Sequence, residues 1–338
     1  MRPSENSGYV GVPFAWLLDG RRRDFPLFLA TPDGRHVLFC DSGELLTADH
    51  LDRLQGHDHA LLFVDHAHTA HLDEYLSGDL TQVLHDPYIP VSRKAGVVHQ
   101  CVRQSVTRLF QEPRAERIAA YKTLVRELAE AIVTQPGLDR ALVQLTRHDR
   151  YTYDHSINVG IFGTVLAKQR YGGDSDLLKA LATGFFLHDL GKARVPYDVL
   201  SKPGKLSAEE WAVMRQHPML GFNLLVEEDQ VEEETAIIIL QHHERPDGTG
   251  YPHGLPEEAI HDYAKMAAIA DVFDALTSNR PYRGAMSTFK ALTIIREQMA
   301  SDLPMSFFSQ FVMLFAEPAP GRAARVPTEA AKLLASMR

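Results

Sequence analysis

Side chains that could hold a metal ion recur in short segments across the second half of the sequence. The candidates are His155, His188, Asp189, His217, His242, His243 and Asp271. Imidazole nitrogens and carboxylate oxygens are suitable ligands for iron, manganese, nickel or zinc. A single histidine on a helix is more often a surface or structural residue, so the surroundings of each candidate decide its interpretation.

The pair His188-Asp189 follows a strongly apolar segment, Leu181 to Leu187, and Lys192 lies close behind it. When an apolar helix ends in His-Asp, the aspartate charge is placed in the protein interior. Burying an aspartate without a partner is costly in free energy. We therefore expect a metal ion or another cation beside Asp189.

The pair His242-His243 follows a second apolar segment, Ala236 to Leu240. Asp271 lies in a stretch of small and apolar residues, and Asp274 shares its helix face three residues later. Three apolar helices that each supply polar ligands are hard to explain as core packing. The pattern favours a metal centre.

The composition is that of a soluble globular protein, with 45% hydrophobic and 23% charged residues in 338. This length predicts two domains. A net charge of −9 argues against a general nucleic-acid binder, so an anionic ligand must be held by local cations or metals. Two cysteines, Cys40 and Cys101, provide neither a disulfide framework nor a cysteine zinc site.

Neither a membrane-spanning segment nor a secretion signal is predicted. The longest apolar stretch, Ile157 to Ala167, is shorter than the ~18 residues that a membrane helix needs. The N-terminal residues lack the apolar core of a signal peptide. We therefore expect a cytoplasmic protein without membrane contact.

The pattern from about 137 to 317 is helical throughout. Helices are predicted near 138–148, 152–170, 175–189, 208–226, 232–243, 262–278, 288–300 and 307–316. Ser207 and Glu210 have the spacing of a capping box. The predicted fold class is mainly α, with an all-helical domain over 135–338 and a linker helix over 100–134.

Residues 1–99 are predicted to form a small regulatory module, α/β or β-rich. Residues 26–40 have the pattern of a hairpin around Asp33-Gly34, and Ala60 to Val64 that of a buried strand. Residues 1–25 are interpreted as a loose lead-in. Thr47 is expected to cap a short helix, and 72–84 to be helical.

Five histidines lie in one short stretch of this module: His57, His59, His66, His68 and His71. A metal or heme sensor is one interpretation. Solvated loop residues are the favoured one, because no carboxylate or cysteine pattern completes a site. A receiver domain with Asp65 as phosphate acceptor is rejected, since an early acidic pair and a later Lys-Pro strand are missing.

Two longer segments carry a family resemblance. The segment His188-Asp189-Leu190-Gly191-Lys192 resembles the signature of the HD phosphohydrolase superfamily. The segment from His242 to Pro252, HHERPDGTGYP, resembles the longer signature of its HD-GYP branch. Shorter matches begin at His155, Lys202, His217, Asp271 and Arg280. The resemblance covers about 140–300 and implies a bacterial cyclic di-GMP phosphodiesterase.

The resemblance also implies roles for individual residues. A first metal ion would be bound by His155, His188, Asp189 and Asp271. A second would be bound by His217, His242 and His243, with Asp189 bridging. Lys192 would approach the scissile phosphate as a catalytic residue beside Asp189, and Arg280 and Arg283 would hold phosphate or guanine. Iron or manganese is expected, with nickel or zinc as alternatives.

Such a centre suits phosphodiester hydrolysis, because two divalent ions about 4 Å apart activate water and stabilise charge on phosphoryl oxygens. Asp274 and Glu244 are candidates to orient imidazoles, or else are ordinary surface or capping carboxylates. Tyr251 is either a loop scaffold or, as the resemblance implies, a contact for diguanylate cyclase (GGDEF) domains.

The sequence departs from the family pattern at two positions. Tyr151 stands where some members have the glutamate that supports a third metal, so two metals are expected, with linear pGpG as the main product and GMP as a further one. Asn279 stands where the family often has aspartate. The effect of this second departure is open.

Three alternatives remain beside the cyclic di-GMP phosphodiesterase. The same site could act on another cyclic dinucleotide, such as cyclic GMP–AMP. A catalytically silent dinucleotide-sensing adaptor or a one-metal HD nucleotidase would not need the full ligand set. A homodimer is compatible with the sequence.

Overall fold

The structure is a computed structural model that describes residues 8–13, 17, 22–31, 33–46, 50, 61–68, 71–72, 75, 80–85, 90–146, 154–172, 174–227, 231–278 and 284–316. The chain divides into two compact units, Met1–Gln104 and Ser105–Arg338. The first contains a small antiparallel sheet and the second is helical, so the predicted fold class is confirmed.

The first unit contains a four-stranded sheet in the order β1-β4-β2-β3. Its strands are β1 (Tyr9–Pro13), β2 (Leu27–Ala30), β3 (His36–Cys40) and β4 (Leu61–Asp65). The predicted hairpin corresponds to β2 and β3, and the predicted buried strand to β4. The prediction that residues 1–25 form a loose lead-in was wrong at β1. That strand was missed because it forms through antiparallel pairing with β4, which is distant in sequence.

A short helix lies at the end of the predicted helical range 72–84. Helix α1 spans Leu80–His85, and much of the rest of that range lies outside the described residues. The short helix expected to begin at Thr47 also lies outside them, except for His50.

The segment predicted as one linker helix over 100–134 is two helices. Helix α2 spans Val91–Gln111 and helix α3 spans Ala115–Thr134. The break contains Pro113, which has no backbone N–H to donate and disfavours helical geometry in the residue before it. The apolar positions Ile118, Leu128 and Ile132 of α3 are buried.

The remaining helices follow the predicted order, apart from one short helix over 197–200 that was not predicted. They are α4 (Leu138–Thr146), α5 (His155–Tyr171), α6 (Ser175–Leu187), α7 (Tyr197–Leu200), α8 (Ala208–Met214), α9 (His217–Glu227), α10 (Glu233–Gln241), α11 (Asp262–Thr277), α12 (Thr288–Gln298) and α13 (Phe308–Met313). The helix predicted over 208–226 is divided into α8 and α9, because Pro218 suits the first turn of a new helix but not a helix interior. The predicted capping box of Ser207 and Glu210 is present at the start of α8.

Close packing of α5 against α6 forms the centre of the helical unit. A Cβ atom at Gly160 would overlap the ring of Phe186, and one at Gly163 would overlap the ring of Phe185. Glycine at both positions therefore lets the two helices approach closely. This packing holds the start of α5, with His155, near the end of α6, where the chain continues into His188.

Candidate metal centre

Helix ends supply most of the candidate ligands. Helices α5 and α9 begin at histidines, whereas α6 and α10 are each followed directly by two candidates, and Asp271 lies within α11. The structure gathers all seven into two groups. Within each group, the ligand atoms lie within 4.8 Å of one another. One group is His155, His188 and Asp271, and the other is Asp189, His217, His242 and His243.

Asp189 presents one carboxylate oxygen to each group. Its Oδ2 lies 3.4 Å from Nε2 of His188, whereas its Oδ1 lies 3.3 Å from Nε2 of His217. The Nζ atom of Lys192 lies 2.5 Å from the same Oδ2. Burial acts to raise the pKa of Asp189, but Lys192 and the neighbouring histidines hold it well below its usual range. The carboxylate is therefore charged and has the geometry of a bridge.

Three imidazoles are oriented by backbone carbonyls at helix ends. The Nδ1 atoms of His188, His217 and His242 lie 2.8, 2.9 and 2.9 Å from the carbonyl oxygens of Phe185, Met214 and Ile239, respectively. Carbonyls in the last turn of a helix have no partner within the helix and are free to accept. Because a carbonyl can only accept, each Nδ1 carries the hydrogen, and each Nε2 in a neutral ring has a lone pair.

These lone pairs point toward one another across the site. Nε2 of His217 lies 3.3 Å from Nε2 of His242. Burial lowers the pKa of His217 to about 4 and that of His242 well below its usual value, so both rings are neutral near pH 7. Two facing lone pairs cannot form a hydrogen bond, but they suit a shared cation.

Among the seven candidate ligands, Nε2 of His188 and Oδ1 of Asp189 are also buried without hydrogen-bond partners. Both lie within 3.4 Å of a neighbouring ligand atom but lack the geometry of a hydrogen bond. Buried polar atoms are normally paired. This donor set therefore fits divalent metal ions.

His155 is held from both sides by carboxylates. Its Nδ1 lies 2.7 Å from Oδ2 of Asp274, and its Nε2 lies 3.1 Å from Oδ1 of Asp271. Burial acts to lower the pKa of His155, but hydrogen bonds to three aspartates raise it well above its usual value. Asp274 makes the contact expected of a carboxylate that orients an imidazole.

Sequence reasoning missed the residues that fix Asp274 itself. Nδ2 of Asn158 donates to Oδ1 of Asp274 at 2.8 Å, and Oγ of Ser278 donates to the same oxygen at 3.1 Å. Asn158 lies three residues after His155, on the same face of α5. That spacing was the available signal.

Glu244 makes the contacts of a capping carboxylate, one of the two interpretations that the sequence left open. Its buried carboxylate accepts backbone N–H groups of His253 at 2.7 Å and Leu255 at 2.9 Å. These loop donors need partners, because unpaired backbone groups are costly when buried. Glu244 therefore fastens the Gly-Tyr-Pro loop instead of orienting a ligand imidazole.

Tyr251 covers part of the centre. Its ring centroid lies 4.7 Å from that of His243 at an interplanar angle of 31°, and Cζ of Arg215 lies 5.6 Å from the same Tyr251 centroid. Burial raises the pKa of Tyr251, so its hydroxyl is neutral. The sequence gave no indication of Arg215, whose contact with Tyr251 joins distant parts of the chain.

The remaining predicted site residues lie outside the described ranges or in the first unit. Arg280, Arg283 and the two departures at Tyr151 and Asn279 lie outside the described residues. In the first unit, Nδ1 of His68 lies 2.7 Å from Oδ1 of Asp65, while His57 and His59 are not described. Within the described ranges, both groups of candidate metal ligands belong to the helical unit.

Among the helices that the structure describes, none is both long enough and apolar enough to cross a membrane.

Comparison with known proteins agrees with this geometry. The HD domain family matches residues 167–303. The cyclic di-GMP phosphodiesterase PA4108 of Pseudomonas aeruginosa is 37% identical over 208 residues, which are 61% of this chain and 50% of that protein. The match over 167–303 indicates an HD domain within the helical unit. The segment from His242 to Pro252, which resembles the HD-GYP signature, contains two of the gathered histidines and the loop that Glu244 fastens.

Other relatives of this chain are named for two different substrates. The cyclic di-GMP phosphodiesterase response regulator RpfG of Xanthomonas campestris is 42% identical over 134 residues, covering 39% of this chain and 35% of that protein. The 3'3'-cGAMP-specific phosphodiesterase 3 of Vibrio cholerae is 35% identical over 159 residues, covering 47% and 34%. The chain thus spans half or less of the length of these relatives.

A solved structure shares the fold of this chain. It is Bd1817, described as a HDG"Y"P protein from Bdellovibrio bacteriovorus, and it matches with a TM-score of 0.63 at 19% identity. The match covers 90% of this chain and 98% of the other. At this identity the likeness supports the fold alone.

Proposed function

We propose that this chain is a phosphodiesterase that hydrolyses cyclic di-GMP with two divalent cations bound in the centre. The observation that carries the proposal is the pair of unprotonated Nε2 atoms of His217 and His242, 3.3 Å apart. The bridging geometry of Asp189 argues for two ions in place of one. Relatives named cyclic di-GMP phosphodiesterases support the choice of substrate.

Each ion would have its own ligand set. His155, His188, Asp189 and Asp271 would bind the first, and Asp189, His217, His242 and His243 would bind the second. Iron or manganese suits this mixture of imidazole and carboxylate. When bound, such a pair of ions activates water and stabilises the charge that develops on phosphoryl oxygens.

The side chains of the protein would hold the ligands and the phosphate. Lys192 has 28% of its side chain exposed, beside the buried Asp189, so its ammonium group can donate to a phosphoryl oxygen. Asp274 keeps His155 in one orientation through the bond at Nδ1. Hydrolysis adds water at phosphorus and breaks one P–O3′ bond, which leaves linear pGpG with a 5′-phosphate. Arg280 and Arg283 would contact phosphate or guanine.

The remaining assignments belong to the same proposal. Residues 135–338 would form the catalytic domain, residues 1–99 a regulatory module, and residues 100–134 their connection. The Gly-Tyr-Pro loop around Tyr251 would contact diguanylate cyclase (GGDEF) domains. The protein would act in the bacterial cytoplasm, with pGpG as the main product and GMP as a further one.

A second candidate substrate is 3'3'-cGAMP, because several relatives are named for it. The test is to load the anaerobically prepared protein with Fe²⁺ or Mn²⁺ and to separate the products of both dinucleotides by chromatography. We expect metal-dependent conversion of cyclic di-GMP to pGpG that chelation abolishes. Intact cyclic di-GMP with a fully loaded protein would contradict the proposal, and cleavage of 3'3'-cGAMP alone would favour the second candidate.

A further inference from the structure

A cleft adjoins the candidate metal centre, and most of its lining lies outside the ligand sets. The candidate ligands His242, His243 and Asp271 line it together with other residues, among them Arg245 and Asp302. The cleft is small, with a volume of about 60 Å³, and it is open to solvent. Sites for whole small molecules usually have about 300–1,000 Å³, so the cleft can receive the edge of one base and not a whole dinucleotide.

Two opposite charges line the cleft without forming a hydrogen bond to each other. The NH1 atom of Arg245 lies 3.9 Å from Oδ2 of Asp302, which is too long for a hydrogen bond. The Oγ atom of Ser301 donates to the other oxygen, Oδ1, at 3.0 Å. The side chains of Arg245 and Asp302 are 49% and 38% exposed, so both are accessible to a ligand.

Apolar side chains complete the lining. Met299 and Leu303 lie in the segment that follows α12, and Val272 follows Asp271 in α11. Flat rings gain contact with apolar side chains of this kind, and methionine adapts readily to their faces. The cleft therefore combines apolar contacts for a ring with one donor group and one acceptor group for its edge.

This combination matches guanine. The N1–H and N2–H groups of guanine are adjacent donors that one carboxylate can accept together, and O6 and N7 are acceptors for an arginine fork. Adenine has a lone pair at N1, which a carboxylate repels, and it has no O6. A polar site built for one set of donors rejects a base that leaves its groups unpaired.

We propose that this cleft binds one guanine base of the substrate and that Asp302 and Arg245 select guanine over adenine. The proposal rests on the proposed function, because it places the base beside the centre that would hold the phosphate. It makes Asp302 and Arg245 specificity residues, outside both ligand sets. A substrate with one guanine, such as 3'3'-cGAMP, would be accepted, and cyclic di-AMP would be excluded.

The test compares metal-loaded wild type with Asp302→Asn and Arg245→Gln on cyclic di-GMP and cyclic di-AMP. Asparagine has almost the shape of aspartate but can donate to N1 of adenine. We expect the preference in kcat/KM for cyclic di-GMP to fall roughly 10- to 100-fold in Asp302→Asn, mainly through KM. In Arg245→Gln, KM for cyclic di-GMP should rise by about the same factor.

Glu227→Gln is the matched control, because Glu227 also lies 3.9 Å from an arginine, Arg194, but does not line the cleft. It should leave the preference unchanged. Competition by GMP and AMP gives a second readout: GMP should inhibit wild type better than AMP, and Asp302→Asn should lose this difference. Metal content and unfolding temperature establish that each variant is folded and loaded.

This proposal would be overturned if wild type hydrolysed cyclic di-GMP and both cleft variants kept its base preference. The proposed function would then still stand. A wild type that is loaded with metal but hydrolyses no cyclic dinucleotide would overturn the proposed function itself. The two failures are therefore distinguishable.

Discussion

Nε2 of His217 lies 3.3 Å from Nε2 of His242, and each ring donates the hydrogen of its other nitrogen to a backbone carbonyl. The two lone pairs repel each other unless a cation lies between them. The bonds from Nδ1 to the carbonyls of Met214 and Ile239 hold both rings in this orientation, and rotating either ring would break its bond. The binding of divalent cations is therefore expected to stabilise the fold as well as to provide catalysis.

Replacing the bridging carboxylate should affect both ligand groups together. The Asp189→Asn variant loses one carboxylate oxygen and the negative charge, both of which face the two ligand groups. We therefore expect the metal content to fall by more than one ion per chain and turnover to become undetectable. Metal analysis and product chromatography on one preparation would check this. Retained turnover would show that Asp189 is not the bridge.

Asp274→Asn tests the support of His155. The change removes the charge opposite Nδ1 and disturbs the bond from Asn158, so we expect metal affinity to fall about 10- to 100-fold. Titration with Mn²⁺ would measure the affinity. Asp139→Asn is the control, because Asp139 pairs with Lys168 at 2.7 Å and belongs to neither ligand group. Equal effects in both variants would point to a general loss of stability.

Lys192→Ala should separate catalysis from metal binding. Lys192 contacts Asp189 through its ammonium group but is not in either ligand group, so we expect metal content to stay near that of wild type while kcat falls. Lys179→Ala is the control, because Lys179 pairs with Glu130 at 2.8 Å in a different part of the helical unit. Loss of metal in Lys192→Ala would instead indicate a structural role.

The stability of the metal-free protein should depend on pH. Burial lowers the pKa of His217 to about 4 and that of His243 to about 3, from an ordinary value of 6.5. Between these values and 6.5 the unfolded chain binds more protons than the folded chain, so the free energy of unfolding falls as the pH falls. His155 acts oppositely: its raised pKa contributes stability below pH 6.5 that is lost as the pH rises through the folded value.

Urea unfolding of chelator-treated protein between about pH 7 and pH 4.5 would check the direction. We expect the midpoint to move to lower urea as the pH falls across this window. A midpoint that stays constant or rises would contradict the assignment of neutral, buried imidazoles.

Gly191→Ala tests the close approach of the chain beside Lys192. A Cβ atom at Gly191 would overlap the backbone of His217 and Gly221, and backbone cannot move aside as a side chain can. We expect a loss of at least about 1–3 kcal/mol in the free energy of unfolding, measured in urea. Gly284→Ala is the control, since no heavy atom lies within 4 Å of its added Cβ. Similar stability in both variants would contradict the described packing.

The sequence predicted local structure where the decisive signals are local. The capping box of Ser207 and Glu210 and the hairpin of β2 and β3 depend on neighbouring residues, and both were predicted. Strand β1 was missed because its only support is pairing with β4, about fifty residues away. The break at Pro113 was overlooked although proline is a local signal, because the apolar periodicity continues on both sides.

The candidate ligands were identified from their residue types and, for several, their apolar flanks, whereas their division between two metal ions came from the resemblance. The partners of Glu244 and Tyr251 were not predicted, because a carboxylate or an aromatic ring has no preferred partner in sequence. Glu244 binds backbone groups of the following loop, and Tyr251 contacts Arg215 from a separate helix end. Such contacts depend on the path of the chain, which periodicity does not specify.

The most direct test of the account is a count of metal ions in protein prepared anaerobically and loaded with Fe²⁺ or Mn²⁺, after free metal has been removed. The convergence of His155, His188 and Asp271 on one side of Asp189, and of His217, His242 and His243 on the other, predicts two ions per chain. A folded protein that retains no metal under these conditions would contradict the account at its centre.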